Sequence, residues 1–136
     1  MAKIYFDAAT AGNPGESFGA VVIITEDNRF HYEQSLGTLD NHSAEWATLI
    51  YAMECAIKHQ IDTAIIYTDS QLVEDSIERG RVKSEKFRPY FNQAIKLSQQ
   101  FDLFFVNWIP RNKNKEANHH AKNALYKFTK SNSKKH

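Results

Sequence analysis

Lys3-Ile4-Tyr5-Phe6-Asp7 decides how the chain reads. Three apolar residues in a row, Ile4 to Phe6, mark a short buried strand. Asp7 is expected at its carboxyl end, where the run Ala8 to Gly15 (AATAGNPG) turns the chain away. An ionised carboxylate in apolar surroundings must be paired, bound to metal or neutralised. In open α/β sheets, sites gather outside the carboxyl ends of strands. The competing reading is an aspartate that opens a turn by bonding its own backbone. The choice depends on what else in the chain joins Asp7.

Working outward, Phe18 to Thr25 reads as a second strand, β-branched and nearly all apolar. Phe30, Tyr32 and Leu36 alternate with polar residues, as in a half-exposed third strand at the edge of an antiparallel meander. Ser43 is expected to cap a helix whose stripe is Leu49, Ala52, Met53 and Ala56, ending near His59. Ala64 to Thr68 is a fourth strand, again followed by an aspartate, Asp69. Ser70 to Arg79 is a short helix stopped by Gly80, and Phe87 to Leu97 is another. Leu103 to Ile109 is a fifth strand ended by Pro110. Ala117, Ala121, Ala124, Leu125 and Phe128 mark the last helix. Right-handed crossovers then place the first strand centrally, with the fourth and fifth parallel to it beyond. The fold expected is α/β: a five-stranded mixed sheet with helices on both faces. Residues 1–128 form one domain, and 129–136 a basic, frayed tail.

Composition narrows the class. The chain has 136 residues, 42% hydrophobic and 24% charged, which fits one globular domain. Its single cysteine, Cys55, excludes an internal disulfide and sits in a helical apolar pattern. No apolar run approaches a membrane span and no signal-peptide pattern appears, so a cytoplasmic protein is expected. A formal net charge of +1 does not announce a nucleic-acid binder. The lysines are nevertheless uneven, with Lys113, Lys115, Lys122, Lys127, Lys130, Lys134 and Lys135 crowding the carboxyl end. Simple solubility also accounts for such a run.

On this frame the acids converge. Asp7 and Asp69 fall at the same edge of neighbouring parallel strands. Glu45 precedes Leu49 by one turn, so it begins the buried stripe. Three carboxylates gathered there repel one another when ionised. Hard oxygen donors suit Mg²⁺ or Mn²⁺, and paired metals can drive phosphodiester cleavage. Singly, Glu45 and Asp69 also read as a helix-start acid and a helix cap.

Phe6-Asp7-Ala8-Ala9, Gly12-Asn13-Pro14-Gly15, Ala44-Glu45, Thr68-Asp69-Ser70-Gln71, Trp108-Ile109-Pro110-Arg111 and Asn114-Lys115-Glu116-Ala117 together resemble type 1 ribonuclease H. The resemblance runs from about Ile4 to Leu125. It implies hydrolysis of the RNA strand of an RNA–DNA hybrid with two Mg²⁺ or Mn²⁺ ions. Asp7, Glu45 and Asp69 match three of the family's four metal-binding acids, and the fourth position falls on Asn118. The resemblance also gives Asn13, Asn41 and Gln71 as contacts to the hybrid's minor groove, where 2′-hydroxyls distinguish RNA from DNA. The short path from Gly80 to Phe87 implies a form without the basic protrusion, which leaves substrate grip to the lysines of the last helix and tail.

Several positions depart from the family pattern. Asn118 keeps an oxygen but loses the charge. Ala8 replaces a glycine. Asp40 stands where a phosphate-holding threonine is usual. Arg111 occupies the place of a mobile histidine, where it is expected to meet phosphate or help product leave. His119 and His120, adjacent on a helix, point about 100° apart, and no second cluster of zinc ligands stands out in the sequence. These departures feed a rival reading: a catalytically impaired module that binds RNA–DNA hybrid or structured RNA without cutting it. Nucleases, integrases and transposases that share such a sheet are a third. No protein partner is inferable, and a monomer is expected.

Overall fold

A computed structural model describes residues 1–133. Five strands, β1 (Ala2–Thr10), β2 (Gly15–Ile24), β3 (Arg29–Leu39), β4 (Thr63–Thr68) and β5 (Leu103–Trp108), make one sheet in the order β3-β2-β1-β4-β5. The first three are antiparallel, and β4 and β5 continue parallel to β1. This is the sheet expected from the sequence, with β1 at the centre and the alternating β3 at an edge.

Four helices cover it: α1 (Asn41–Lys58), α2 (Gln71–Arg79), α3 (Arg88–Ser98) and α4 (Lys115–Ser133). Successive β-strand side chains point to opposite faces. Ile4 and Phe6, with Val21 and Ile23, therefore share one face and pack in a single core with Trp46, Leu49 and Met53 of α1 and Phe91 and Ala94 of α3. Each of the larger aliphatic and phenylalanine side chains among them contributes about 1.5–3 kcal/mol by leaving water. The alternation that buries Ile4 and Phe6 turns Asp7 to the other face, toward α4. Gly19 lets α1 approach the sheet closely, because a Cβ there would lie 2.5 Å from Thr48 Oγ1.

Three local expectations change. β1 does not end at Asp7 but runs on to Thr10, held by pairing with β2 as far as Thr10↔Ser17. The residue capping α1 is Asp40, not Ser43; its carboxylate accepts from the Ser43 N–H at 2.9 Å and the Ser43 hydroxyl at 2.8 Å. That places a capping oxygen over the otherwise unpaired first-turn N–H groups. α4 continues through Ser133, so residues 129–133 of the expected tail are helical, while Lys134 and Lys135 lie outside the described residues. The segment joining α2 to α3 is Gly80 to Ser84 followed by the 3₁₀ turn Glu85–Phe87. Among the described residues no helix is long and apolar enough to cross a membrane.

Candidate active site

Strand register brings Asp7 and Asp69 level. The parallel pairing of β1 with β4 stops at Tyr5↔Tyr67. Asp7 lies two residues beyond that point, and Asp69 two residues beyond Tyr67. Asp7 thus stands past the carboxyl end of the parallel part of the sheet although β1 itself goes on. Asp69 precedes Ser70, whose hydroxyl caps α2 by accepting from the Val73 N–H at 3.2 Å. Glu45 comes in from the first turns of α1, between the buried Ala44 and Trp46.

Amides tie these acids to α4. Asn118 donates from Nδ2 to Asp7 Oδ2 at 2.7 Å. Asn114, wholly buried, donates from its own Nδ2 to the Phe6 carbonyl at 2.8 Å and to Asp69 Oδ2 at 3.1 Å. Its Oδ1 is buried without a hydrogen-bond partner. The Trp108 indole donates to the Asp69 carbonyl at 3.2 Å.

Two adjoining hollows surround the acids. The first, about 570 Å³, is lined by Asp7, Asn13, Asn41, Glu45, Arg111 and Asn118, with Lys122 and Tyr126 farther along α4. The second, about 480 Å³, takes in Asp69, Gln71 and Trp108, and shares His42, Glu45 and Arg111 with the first. The eight residues expected to bind metal or substrate therefore line the groove that these two hollows form. Asn13 Oδ1 accepts from the Asn41 N–H at 3.0 Å, and the Thr10 hydroxyl donates to Asn41 Oδ1 at 2.6 Å. The turn after β1 is in this way fastened to the start of α1.

The charges are crowded. Burial pushes the Asp7 carboxyl up to about 6; the Asn118 hydrogen bond works against this and the charge of Asp69 adds to it. Burial also raises Glu45, with Ser70 and His42 pulling it back and Asp69 again pushing up. Asp40 behaves differently. Burial opposes its ionisation, but Lys86 at 2.6 Å and the two Ser43 contacts outweigh that and hold it well below its ordinary value. Its charge is committed to the cap and to Lys86.

A buried carboxylate past the parallel part of the central strand and two more carboxylates on the same groove give a donor set of oxygen atoms with surplus negative charge, and the Asn118 amide donates to the first of them. That set fits a hard divalent cation such as Mg²⁺ or Mn²⁺, which offsets the burial and the Asp69 charge that raise Asp7 and Glu45.

Over residues 5–124 the sequence matches the protein family described as "Reverse transcriptase-like". The chain belongs to this ribonuclease H-like family. It is 40% identical over 130 residues to "Putative hydrolase EbsB" of Enterococcus faecalis, across 94% of this chain and 96% of that protein. It is 32% identical over 124 residues to "Ribonuclease HI" of Halobacterium salinarum, across 89% of this chain and 62% of that protein. The crystal structure of RNase H1 from the same archaeon shares its fold with a TM-score of 0.87 at 29% identity, covering 93% of this chain and 98% of that one. LC11-RNase H1, solved in complex with RNA/DNA hybrid, gives 0.79 at 25% identity over 88% and 92% of the two chains.

In this ribonuclease H-like protein the sequence reading missed the supports of the site. Asn114 appeared only within the Asn-Lys-Glu-Ala run, because a polar residue before a helix reads as a cap. The contact of Ser70 with Glu45 and the approach of His42 to within 3.9 Å of it were likewise unforeseen. The His42 spacing, three residues before Glu45 on one helix, was a usable signal.

Proposed function

We propose that this protein is a metal-dependent endoribonuclease that hydrolyses the RNA strand of RNA–DNA hybrids. The observation that carries the reading is the groove itself, in which Asp7, Glu45, Asp69 and Asn118 meet at the end of the parallel strands. Support comes also from the relatives called ribonuclease H and from the neighbour solved with hybrid bound.

Asp7, Glu45, Asp69 and the Asn118 amide would hold two Mg²⁺ or Mn²⁺ ions. When bound, such ions supply Lewis acidity, which activates water and stabilises the departing 3′ oxygen. The protein's own groups set the geometry. Asn114 holds the Asp69 carboxylate by a hydrogen bond, and Asn118 holds that of Asp7. Arg111 lines both hollows, where its guanidinium would meet a phosphate. Asn13, Asn41 and Gln71 offer amides to the minor groove and its 2′-hydroxyls. Lys122 neutralises backbone phosphate along α4, the part that a basic protrusion would otherwise take.

A second reading, hybrid binding without cleavage, draws on the Asn118–Asp7 hydrogen bond, which occupies the amide where the family carries an acid. Labelled RNA–DNA hybrid, RNA duplex and DNA duplex, each with Mg²⁺, Mn²⁺ or chelator, separate the two. Cleavage confined to hybrid RNA and abolished by chelator supports the enzyme. Tight hybrid binding without cleavage at any metal concentration supports the binding module.

A further inference from the structure

His31 and His120 are 89 residues apart in the chain, yet their rings stack with centroids 4.1 Å apart and planes 2° from parallel. His31 belongs to edge strand β3 and His120 to α4. Beside them, Glu33 Oε2 lies 3.1 Å from His31 Nδ1. His31, Glu33 and His120 each present one ligand atom, and all three atoms lie within 4.8 Å of one another. Glu116 lies beside His120, with Oε2 3.8 Å from His120 Nε2 and its carboxylate paired to Arg29.

We propose that His31, Glu33 and His120 form a second cation site, distinct from the acidic groove and selective for a borderline transition metal, Zn²⁺ foremost. The donor set decides the class. Two imidazoles with one carboxylate suit Zn²⁺, whereas Mg²⁺ takes oxygen and keeps its water. Zinc–ligand bonds of about 2.0–2.2 Å put tetrahedral donors roughly 3.4 Å apart. The three ligand atoms need only close by about 1.5 Å at most to reach that spacing. The stacked rings must swing so that their lone pairs converge. Side chains of His31 and Glu33 that are 52% and 29% exposed leave room for this. Water completes the fourth position, and Glu116, anchored by Arg29, orients His120.

The helix keeps the two sites apart. Residues 118 and 120 of α4 project about 200° from one another, so Asn118 meets Asp7 while His120 meets β3. A metal here pins α4 to the sheet edge, and binding only the folded chain raises its stability. The histidine pair 119–120 alone does not form this site; the partner ligands come from β3, which sequence spacing does not reveal.

The test uses the full chain, stripped of metal, titrated with ZnCl₂ in excess Mg²⁺ by calorimetry, with Co²⁺ absorption as a second readout. One Zn²⁺ equivalent is expected, together with a rise in Tm and the intense visible bands of four-coordinate Co²⁺. Both His31→Ala and His120→Ala should weaken that equivalent at least tenfold, and Glu33→Gln should weaken it less. His119→Ala and Asp69→Asn should retain it. Since His31 is an exposed residue of an edge strand, His31→Ala keeps the test valid even if His120→Ala fails to fold. No Zn²⁺ equivalent, an equivalent lost in Asp69→Asn, or one unchanged in His31→Ala would each overturn the proposal.

Discussion

Asn118 Nδ2 and Asp7 Oδ2 meet at 2.7 Å, joining α4 to the central strand at the point where β1 leaves its parallel neighbour. A charged acceptor makes this a strong hydrogen bond. It also lowers the cost of keeping Asp7 ionised in a buried place. An aspartate at position 118 would do the opposite in the metal-free protein and add one ligand charge in the loaded one.

Asn118→Asp is therefore expected to lower the Tm in chelator and to shift the metal activation curve to lower concentration. A tenfold gain in turnover would correspond to about 1.4 kcal/mol of barrier. Metal-titrated cleavage of hybrid by both proteins checks this. Identical metal curves would place Asn118 outside the metal site.

Asp7 gives a pH dependence. Its folded-state value of about 6 lies above that of an unfolded aspartate, so the native state retains a proton that the unfolded state has lost between about pH 4 and 6. Its contribution to metal-free stability thus falls as pH rises through that window, by about 3 kcal/mol at most. Asp7→Asn removes the penalty and still offers an oxygen to Asn118. In chelator the variant should melt above wild type at pH 7.5, and the gap should close near pH 4. A gap independent of pH would show that the carboxyl is not strained.

The main lines of this site were legible because strands alternate and helices repeat. Ile4 and Phe6 on one face force Asp7 to the other, and Glu45 heads the stripe that ends at Ala56. Asn114 and Asp40 were not legible. Both are polar residues at helix starts, and their roles depend on partners supplied by tertiary packing: the Phe6 carbonyl and Asp69 for one, Lys86 for the other. The extension of α4 past Phe128 was hidden by a polar composition, since exposed helical residues need no apolar pattern.

Asn114→Ala should be costly. It strands the buried Phe6 carbonyl and removes a donor from Asp69, a loss of about 2–3 kcal/mol. Chemical denaturation measures the loss. Cleavage should fall further than stability alone explains, because Asp69 is left without its orienting amide. A variant as stable as wild type would mean that water replaces the amide without penalty.

Lys122 tests the grip on substrate. Lys122→Ala should weaken hybrid binding and flatten the dependence of log Kd on log salt by roughly one unit, the signature of one lost phosphate contact. Chemistry at saturating hybrid should change little. An unchanged slope would show that this lysine only solubilises α4.

The most direct measurement compares purified wild type and Asp69→Asn on labelled RNA–DNA hybrid, with Mg²⁺ or Mn²⁺ and with chelator. Asp69 stands level with Asp7 and is held by Asn114, so losing its charge should weaken metal binding and remove transition-state stabilisation. The account predicts metal-dependent cleavage of the RNA strand by wild type and none by Asp69→Asn, with both proteins folded. Cleavage that persists in Asp69→Asn, or in wild type with chelator, would contradict it.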